Sequence, residues 1–341
     1  MWNATRMMVC TVHLLVVTFL AGCASGPRTL QALADDPDTA RMEISRTEQG
    51  LFVVNTALNG GEAVPFLLDT GATRSALFED WLEDVDVTPD RAVRVHGMAG
   101  VNIRNTVRVG SFHLGEETLP DLQMIVLPAR EYDTPPLYKP AGIVGMDVLS
   151  RYRLFARADS DRILLIPIDE PEPEVPSHWS VVQLVENPYN TKAQTLKFVE
   201  MRVNGVLGPA LLDTGSAVNV MNFELADFPG VRAAKRRLRE NWEVRGATEE
   251  FRPRVLLRDV DVRAGSRVWR DKNFVVKDVG SLDVLGVRGR PFIIAGADFF
   301  ADETFYLDPS ADVLRMPKGE ARQGYAVRYG QSPSGRVGRD R

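Results

Sequence analysis

The chain has 341 residues, 44% of them hydrophobic, which is enough for two domains of ordinary size and a substantial core. A formal net charge of −5 argues against the broad basic face of a nucleic-acid binder. Two cysteines and four histidines leave little for a metal site or a disulfide framework, so no metal and no cofactor is expected.

In chain order, Arg6 is the only charge ahead of the run "MMVCTVHLLVVTFLAGC". The run is short for a membrane span and ends in small residues, the pattern of a secretory signal over residues 1–22. Its close, Leu20-Ala21-Gly22-Cys23, resembles the lipobox of bacterial lipoproteins. That resemblance implies cleavage before Cys23, lipidation of its thiol, and a place in the cell envelope, lipid-anchored at the outer membrane and facing the periplasm. An uncleaved signal anchor with a chance cysteine is the alternative. Residues 23–46 are polar and read as a membrane tether.

The body is one unit written twice. "LFVVNTALNGGEAVPFLLDTG" in residues 47–168 answers "LKFVEMRVNGVLGPALLDTG" in residues 180–317. Asn59-Gly60 and Asn204-Gly205 between alternating apolar runs predict tight hairpin turns. Downstream, "VRVHGMAGV" pairs with "WEVRGATEE", and "PDLQMIVLP" with "RDKNFVVKD". "AGIVGMDVL" then matches "FIIAGADFF", and "YRLFARADSDRILLIP" matches "DETFYLDPSADVLRMP" without a gap. Residues 169–179 are acidic and proline-rich, the signature of an irregular linker, and residues 318–341 form a basic tail expected to be disordered. Helical stretches are few; "ALFEDWLEDV" and "ELADFPGVRAAKRRLREN" are the candidates.

In each copy an apolar strand runs into Asp-Thr-Gly, at Asp69-Thr70-Gly71 and Asp213-Thr214-Gly215. A carboxylate at the end of a buried strand is costly to ionise unless something pairs with it. Two such carboxylates facing each other would share a proton and titrate in two separated steps. One could then serve as general base on a water and the other as general acid.

These motifs, together with Ile143-Val144-Gly145 and Ile294-Ala295-Gly296, resemble the aspartic peptidases, both retropepsin-like and pepsin-like. The resemblance spans residues 47 to 317. It implies an all-β fold of two tandem β-barrel lobes related by pseudo-two-fold symmetry, with few short helices. It also implies a single-chain endopeptidase acting on protein or peptide substrates, and a monomer, since the lobes pair within one chain. By position, Asp69 and Asp213 would be the catalytic dyad. Thr70 and Thr214 would bond into the opposite loop, Gly71 and Gly215 would let backbone amides approach the carboxylates, and Gly145 and Gly296 would belong to the psi-loops behind them. Ser216, where the first copy has Ala72, would donate to its own aspartate and favour Asp213 as the ionised partner. Gly97 and Met98, and Gly246 and Ala247, would sit in two flap hairpins over the substrate. Asp147 and Asp298 read as structural acceptors for backbone amides. Two other readings stay open: a catalytically inactive lipoprotein that binds peptides or envelope components, and a maturation enzyme that cuts a single partner.

Overall fold

The computed structural model describes residues 27–36, 41–47, 49–97, 101–129, 139–160, 162–187, 195–237, 244–245 and 250–320. The expected signal peptide, Cys23, and nearly all of the basic tail lie outside these residues.

The first half begins with helix α1 (Leu30–Asp35) and strand β1 (Arg41–Arg46). It continues through β2 (Phe52–Leu58), β3 (Ala63–Leu68), β4 (Ala76–Phe78), β5 (Thr88–His96), β6 (Val101–Leu114), β7 (Glu117–Leu127) and β8 (Gly142–Val144). Helix α2 (Met146–Leu149) and the hairpin β9 (Tyr152–Ala156) and β10 (Arg162–Pro167) close it. The second half repeats the plan with β11 (Ser180–Val185), β12 (Phe198–Val203), β13 (Val206–Leu212), β14 (Val220–Met221), helices α3 (Phe223–Ala226) and α4 (Pro229–Arg232), and β15 (Lys235–Arg237). There follow β16 (Val244–Arg245), β17 (Glu250–Phe251), β18 (Val255–Ala264), β19 (Arg267–Val276), α5 (Leu282–Leu285), β20 (Ile293–Ala295), β21 (Phe305–Asp308), β22 (Val313–Met316) and β23 (Gly319–Glu320).

Each half closes into a six-stranded barrel. In the first, the pairings run β2–β3–β8–β4–β7–β6 and back to β2. In the second they run β12–β13–β20–β14–β19–β18 and back to β12. Closure removes free sheet edges, which is why so many short strands are stable here. Both hairpin turns form as the sequence predicts: Asn59 and Asn204 take φ of 51° and 46°, with their glycines also positive. Each Asn side chain then accepts a backbone N–H from the neighbouring strand, Ser111 at 2.8 Å and Asp261 at 3.1 Å.

The lobes are joined by a six-stranded antiparallel sheet, ordered β1–β10–β9–β21–β22–β11. The approximate two-fold axis passes between β9 and β21, where Leu154 pairs with Leu307 and Phe155 with Tyr306. Side-chain alternation gives this sheet two faces. Leu154, Ile163, Phe305 and Leu307 face the ends of β3 and β13. Phe155, Leu164, Ile166 and Tyr306 point the other way and are buried under Leu30, Leu33, Val175 and Trp179.

That second face corrects several expectations. Residues 27–46 are not a free tether: α1 supplies two buried leucines, and β1 pairs with both β10 and β2. The linker over residues 169–179 is irregular but held in place. Glu174 exchanges backbone bonds with the N-terminal segment, donating to Arg28 O at 2.9 Å and accepting from Leu30 N at 3.2 Å. Both segments look polar locally, and only the apolar underside of a distant sheet makes their few apolar residues valuable. The second lobe extends past 317, since β23 pairs with β19. The first helix candidate is not helical, and the second is helical only in its opening turns, α3 and α4. Ala76–Phe78 is a buried strand followed by a single 3-10 turn, and Lys235–Arg237 is a strand. Barrel pairing outweighs helix propensity at both places.

Candidate active site

The two Asp-Thr-Gly loops emerge from equivalent strands. β3 lies parallel to β8, with Leu67 opposite Ile143 and Leu68 opposite Val144. β13 lies parallel to β20, with Leu211 opposite Ile294 and Leu212 opposite Ala295. The last strand bond in each case is made by the aspartate's own amide. Asp69 N donates to Val144 O at 3.0 Å, and Asp213 N donates to Ala295 O at 2.9 Å. β8 and β20 are each flanked on the other side by an antiparallel strand, β4 or β14. The aspartates therefore sit at the end of a three-strand support with the central strand pinned from both sides.

A reciprocal set of hydrogen bonds locks the loops together. Thr70 Oγ1 donates to Leu212 O at 2.8 Å, and Thr214 Oγ1 donates to Leu68 O at 2.7 Å. Each hydroxyl also accepts the opposite threonine's N–H at 3.1 Å. Both threonines are buried. Within each loop the glycine amide points back at its own carboxylate: Gly71 N donates to Asp69 Oδ1 at 2.9 Å and Gly215 N to Asp213 Oδ1 at 3.1 Å. The same glycines lie against the opposite aspartate. A methyl group on Gly71 would lie 2.3 Å from Asp213 Cγ, and one on Gly215 would lie 2.2 Å from Asp69 Cγ. Only glycine fits between the two carboxyl groups.

The aspartates meet and share a side-chain hydrogen bond. Asp213 is buried while Asp69 is half-buried. Burial, and then the neighbouring Asp69 carboxyl, push Asp213 well above the usual carboxylate range; the Gly215 and Ser216 amides only partly oppose this. This reverses the assignment drawn from Ser216. The Ser216 hydroxyl donates to Val218 O at 2.8 Å and makes no bond to Asp213. The proton of the pair therefore belongs on Asp213, because removing it would charge the more deeply buried carboxyl.

Gly145 and Gly296 lie immediately behind the loops, where a methyl group would come within 2.5 Å of Arg74 C and 2.6 Å of Val218 O. The backbone crossings are tight for this reason. Asp147 accepts from Ser75 N at 2.9 Å and from Ser75 Oγ at 2.7 Å, and Ser75 Oγ in turn accepts from Gly145 N at 3.0 Å. Ser75 was not singled out from the sequence; its place six residues after Asp69, level with Asn219, was the available signal.

Gly97 is buried at the end of β5, and β5 and β6 pair up to His96 and Val101, so a long hairpin stands where the first flap is expected. β16 and β17 form a second, shorter hairpin around the other flap position. Met98, Gly246 and Ala247 lie outside the described residues. Among the described residues, no cluster of three or more His, Cys, Asp or Glu side chains has the arrangement to hold a metal ion.

Two closed barrels thus present paired Asp-Thr-Gly loops to each other across a shared axis. Residues 54–148 match the model of the aspartyl protease family, which takes in the first barrel from β2 through α2. The first lobe is thus similar to the aspartyl protease family over this stretch, and the second lobe repeats its strand plan. Among solved structures that match is one titled as a retropepsin-like aspartic protease from Rickettsia conorii. It is 21% identical, with a TM-score of 0.27 over 38% of this chain and 90% of that one. A search of curated proteins gave no match.

Proposed function

We propose that the protein is a single-chain aspartic endopeptidase that hydrolyses peptide bonds with a water held between Asp69 and Asp213. The observation that carries this reading is the direct hydrogen bond between two carboxyl groups of unequal burial, with Asp213 pushed upward. Asp69 then serves as general base, taking a proton from the attacking water. Asp213 gives its proton to the carbonyl oxygen of the scissile bond, so that charge does not build up there. As the C–N bond breaks, Asp69 passes the proton it took from water to the leaving nitrogen, and a hydroxyl of the tetrahedral intermediate returns a proton to Asp213, which leaves the acid product and restores the pair. The Gly71 and Gly215 amides and the threonine lock hold both carboxyl groups in reach of one another, which supplies orientation without a covalent intermediate. The long β5–β6 hairpin supports a role for Gly97 and Met98 in covering an extended peptide, whose main chain can pair with a strand edge.

The chain acts as a monomer, because both halves of the dyad come from one polypeptide. Its anchor is a lipid on Cys23, placing it at the outer membrane facing the periplasm; the lipobox-like Leu20-Ala21-Gly22-Cys23 supports this. Metabolic labelling with a fatty acid, lost in Cys23→Ser, tests the anchor.

The activity is tested by digesting a peptide library across pH, with and without pepstatin, using wild type, Asp69→Asn and Asp213→Asn. Turnover in the wild type, lost in both variants at unchanged thermal stability, is the expected result. Turnover that survives in Asp69→Asn sinks the mechanism. Tight peptide binding without cleavage by any of the three favours a non-catalytic binding role.

A further inference from the structure

The two dyad loops are braced from behind by different chemistry. In the first lobe the brace is Ser75, with one hydroxyl that donates to Asp147 and accepts from the Gly145 amide, and with Arg74 within electrostatic reach of the acid. In the second lobe the level position is Asn219, whose amide also reaches the acid of its lobe through a side-chain hydrogen bond to Asp298. Asn219 Oδ1 accepts from Gly296 N at 2.8 Å, while Asn219 Nδ2 donates to Asn273 O at 3.0 Å. Asp298 in addition meets Lys272. The Lys272 ammonium donates to the Asp298 backbone carbonyl at 2.7 Å and lies 3.4 Å from its carboxylate Oδ2. The lysine's place in the first lobe, by the pairing of "PDLQMIVLP" with "RDKNFVVKD", is taken by Leu122.

This ion pair is deeply placed, with the two side chains only 13% and 8% exposed. Burying two charges costs several kcal/mol each before their attraction returns it, so such a pair is a poor device for stability alone. The first lobe closes an equivalent barrel with a leucine, so the fold does not require the pair. What the pair does reach is the dyad. Asp298 lies in the turn Ala297–Phe299 that follows β20. Ala297 N donates to Ser216 O at 2.8 Å, Gly296 N is held by Asn219, and Ala295 O accepts from Asp213 N at 2.9 Å. Three consecutive residues of this segment therefore grip the second dyad loop, and Lys272 clamps the fourth. The lysine is itself fixed, its ammonium 5.0 Å from the centre of the Phe299 ring, which packs edge-on against Trp269 at 5.2 Å.

We propose that Lys272 is a positioning residue for Asp213, holding the segment from Ala295 to Asp298 so that the second dyad loop keeps its hydrogen-bonding distance from Asp69. The proposal rests on the peptidase reading for its consequence in turnover, though not for its geometry. The other charged groups around the lysine are Glu303 and Asp302; Glu303 is ion-paired to Arg267, and all of these stay in place in the variants below.

The test compares Lys272→Met, Lys272→Arg and the double variant Lys272→Met/Asp298→Asn with wild type. Lys272→Met is expected to lower kcat by about tenfold or more at unchanged KM, since small misplacements of a reacting group are costly. Its pH profile should narrow, because two carboxyl groups that drift apart couple less and titrate closer together. Lys272→Arg keeps a cation and its donors and should recover most of kcat. The double variant removes both buried charges, so it should regain thermal stability while kcat stays low. It also carries the test if Lys272→Met does not fold. Carboxyl 13C NMR titration of Asp69 and Asp213 gives a readout free of turnover: the two steps should lie closer together in the double variant than in wild type. If no peptide is cleaved by wild type, the peptidase reading falls and this titration alone judges the brace. Unchanged titration steps overturn the proposal. So does full kcat in the double variant, which would make Lys272 merely structural.

Discussion

Replacing Thr214 by valine removes one hydroxyl and keeps the shape of the side chain. The hydroxyl serves two distant backbone groups: it donates to Leu68 O at 2.7 Å and accepts Thr70 N–H at 3.1 Å. Both partners are in the first lobe, and the site is closed to water, with Thr214 only 6% exposed. The variant therefore orphans one buried carbonyl and one buried N–H. Each costs about 1–3 kcal/mol when left unpaired, so the loss is about 3 kcal/mol after partial relaxation. For a chain of this size that lowers Tm by roughly 4–5 °C. Thr214→Ser keeps the hydroxyl and should lose about 1 kcal/mol or less. Adding Thr70→Val removes the other two of four distinct bonds and should cost about as much again. Chemical denaturation and calorimetry on the three variants measure this directly, and turnover should fall with the lock because it sets the distance between carboxyl groups. A Thr214→Val protein within about 0.5 kcal/mol of wild type, or a serine variant as damaged as the valine, would refute the claim that these bonds join the lobes.

Two further predictions concern buried charge. Asp147, Asp213, Asp298 and Glu303 all lie above their ordinary values, with burial the leading cause in each. Groups raised in the folded state stabilise it fully below their unfolded values, near pH 4, and that stability is lost as pH climbs through the raised values. Asp308 acts in the opposite sense: although burial works to raise it, the Ser310 hydroxyl, the Ala311 amide and Arg153 hold it below its ordinary value, so its contribution is lost only in stronger acid. Thermal stability should therefore rise as pH is lowered from neutral toward the ordinary carboxylate range and fall again in stronger acid; a steady fall from neutral down to that range in scanning calorimetry would contradict this. Arg153 crosses the lobe junction, bonding Asp308 at 3.0 Å as well as the carbonyls of Pro167, Ile168 and Glu170. Arg153→Met should cost about 3–5 kcal/mol, and Arg153→Lys should recover only part of it, because one ammonium cannot span four acceptors; equal stability of the lysine variant and wild type in urea would count against it.

Much of the candidate site was legible because its signals are local. An apolar strand that must be buried, ending in Asp-Thr-Gly, dictates where the carboxylate emerges, and the repetition of that pattern implies a partner for it. The Asn-Gly turns are equally local, since the positive φ they need is set by the residues themselves. The role expected of Ser216 was not legible. Its hydroxyl bonds the Val218 carbonyl two residues on, a local side-chain-to-backbone contact that competes with the aspartate.

By itself the sequence determined the duplicated strand pattern, the turns and the two acidic loops, because periodicity and turn chemistry act over a few residues. Tertiary structure alone decided the rest. The six-stranded junction pairs β9 with β21, about 150 residues apart, and its underside turned an apparently free N-terminal tether and a polar linker into buried covers. Which carboxyl holds the proton follows from unequal burial of Asp69 and Asp213, and the clamp of Lys272 on Asp298 from two strands meeting behind one lobe. Burial and hydrogen-bond partnership are properties of the assembled neighbours, so no window of sequence around Asp213 or Lys272 contains them.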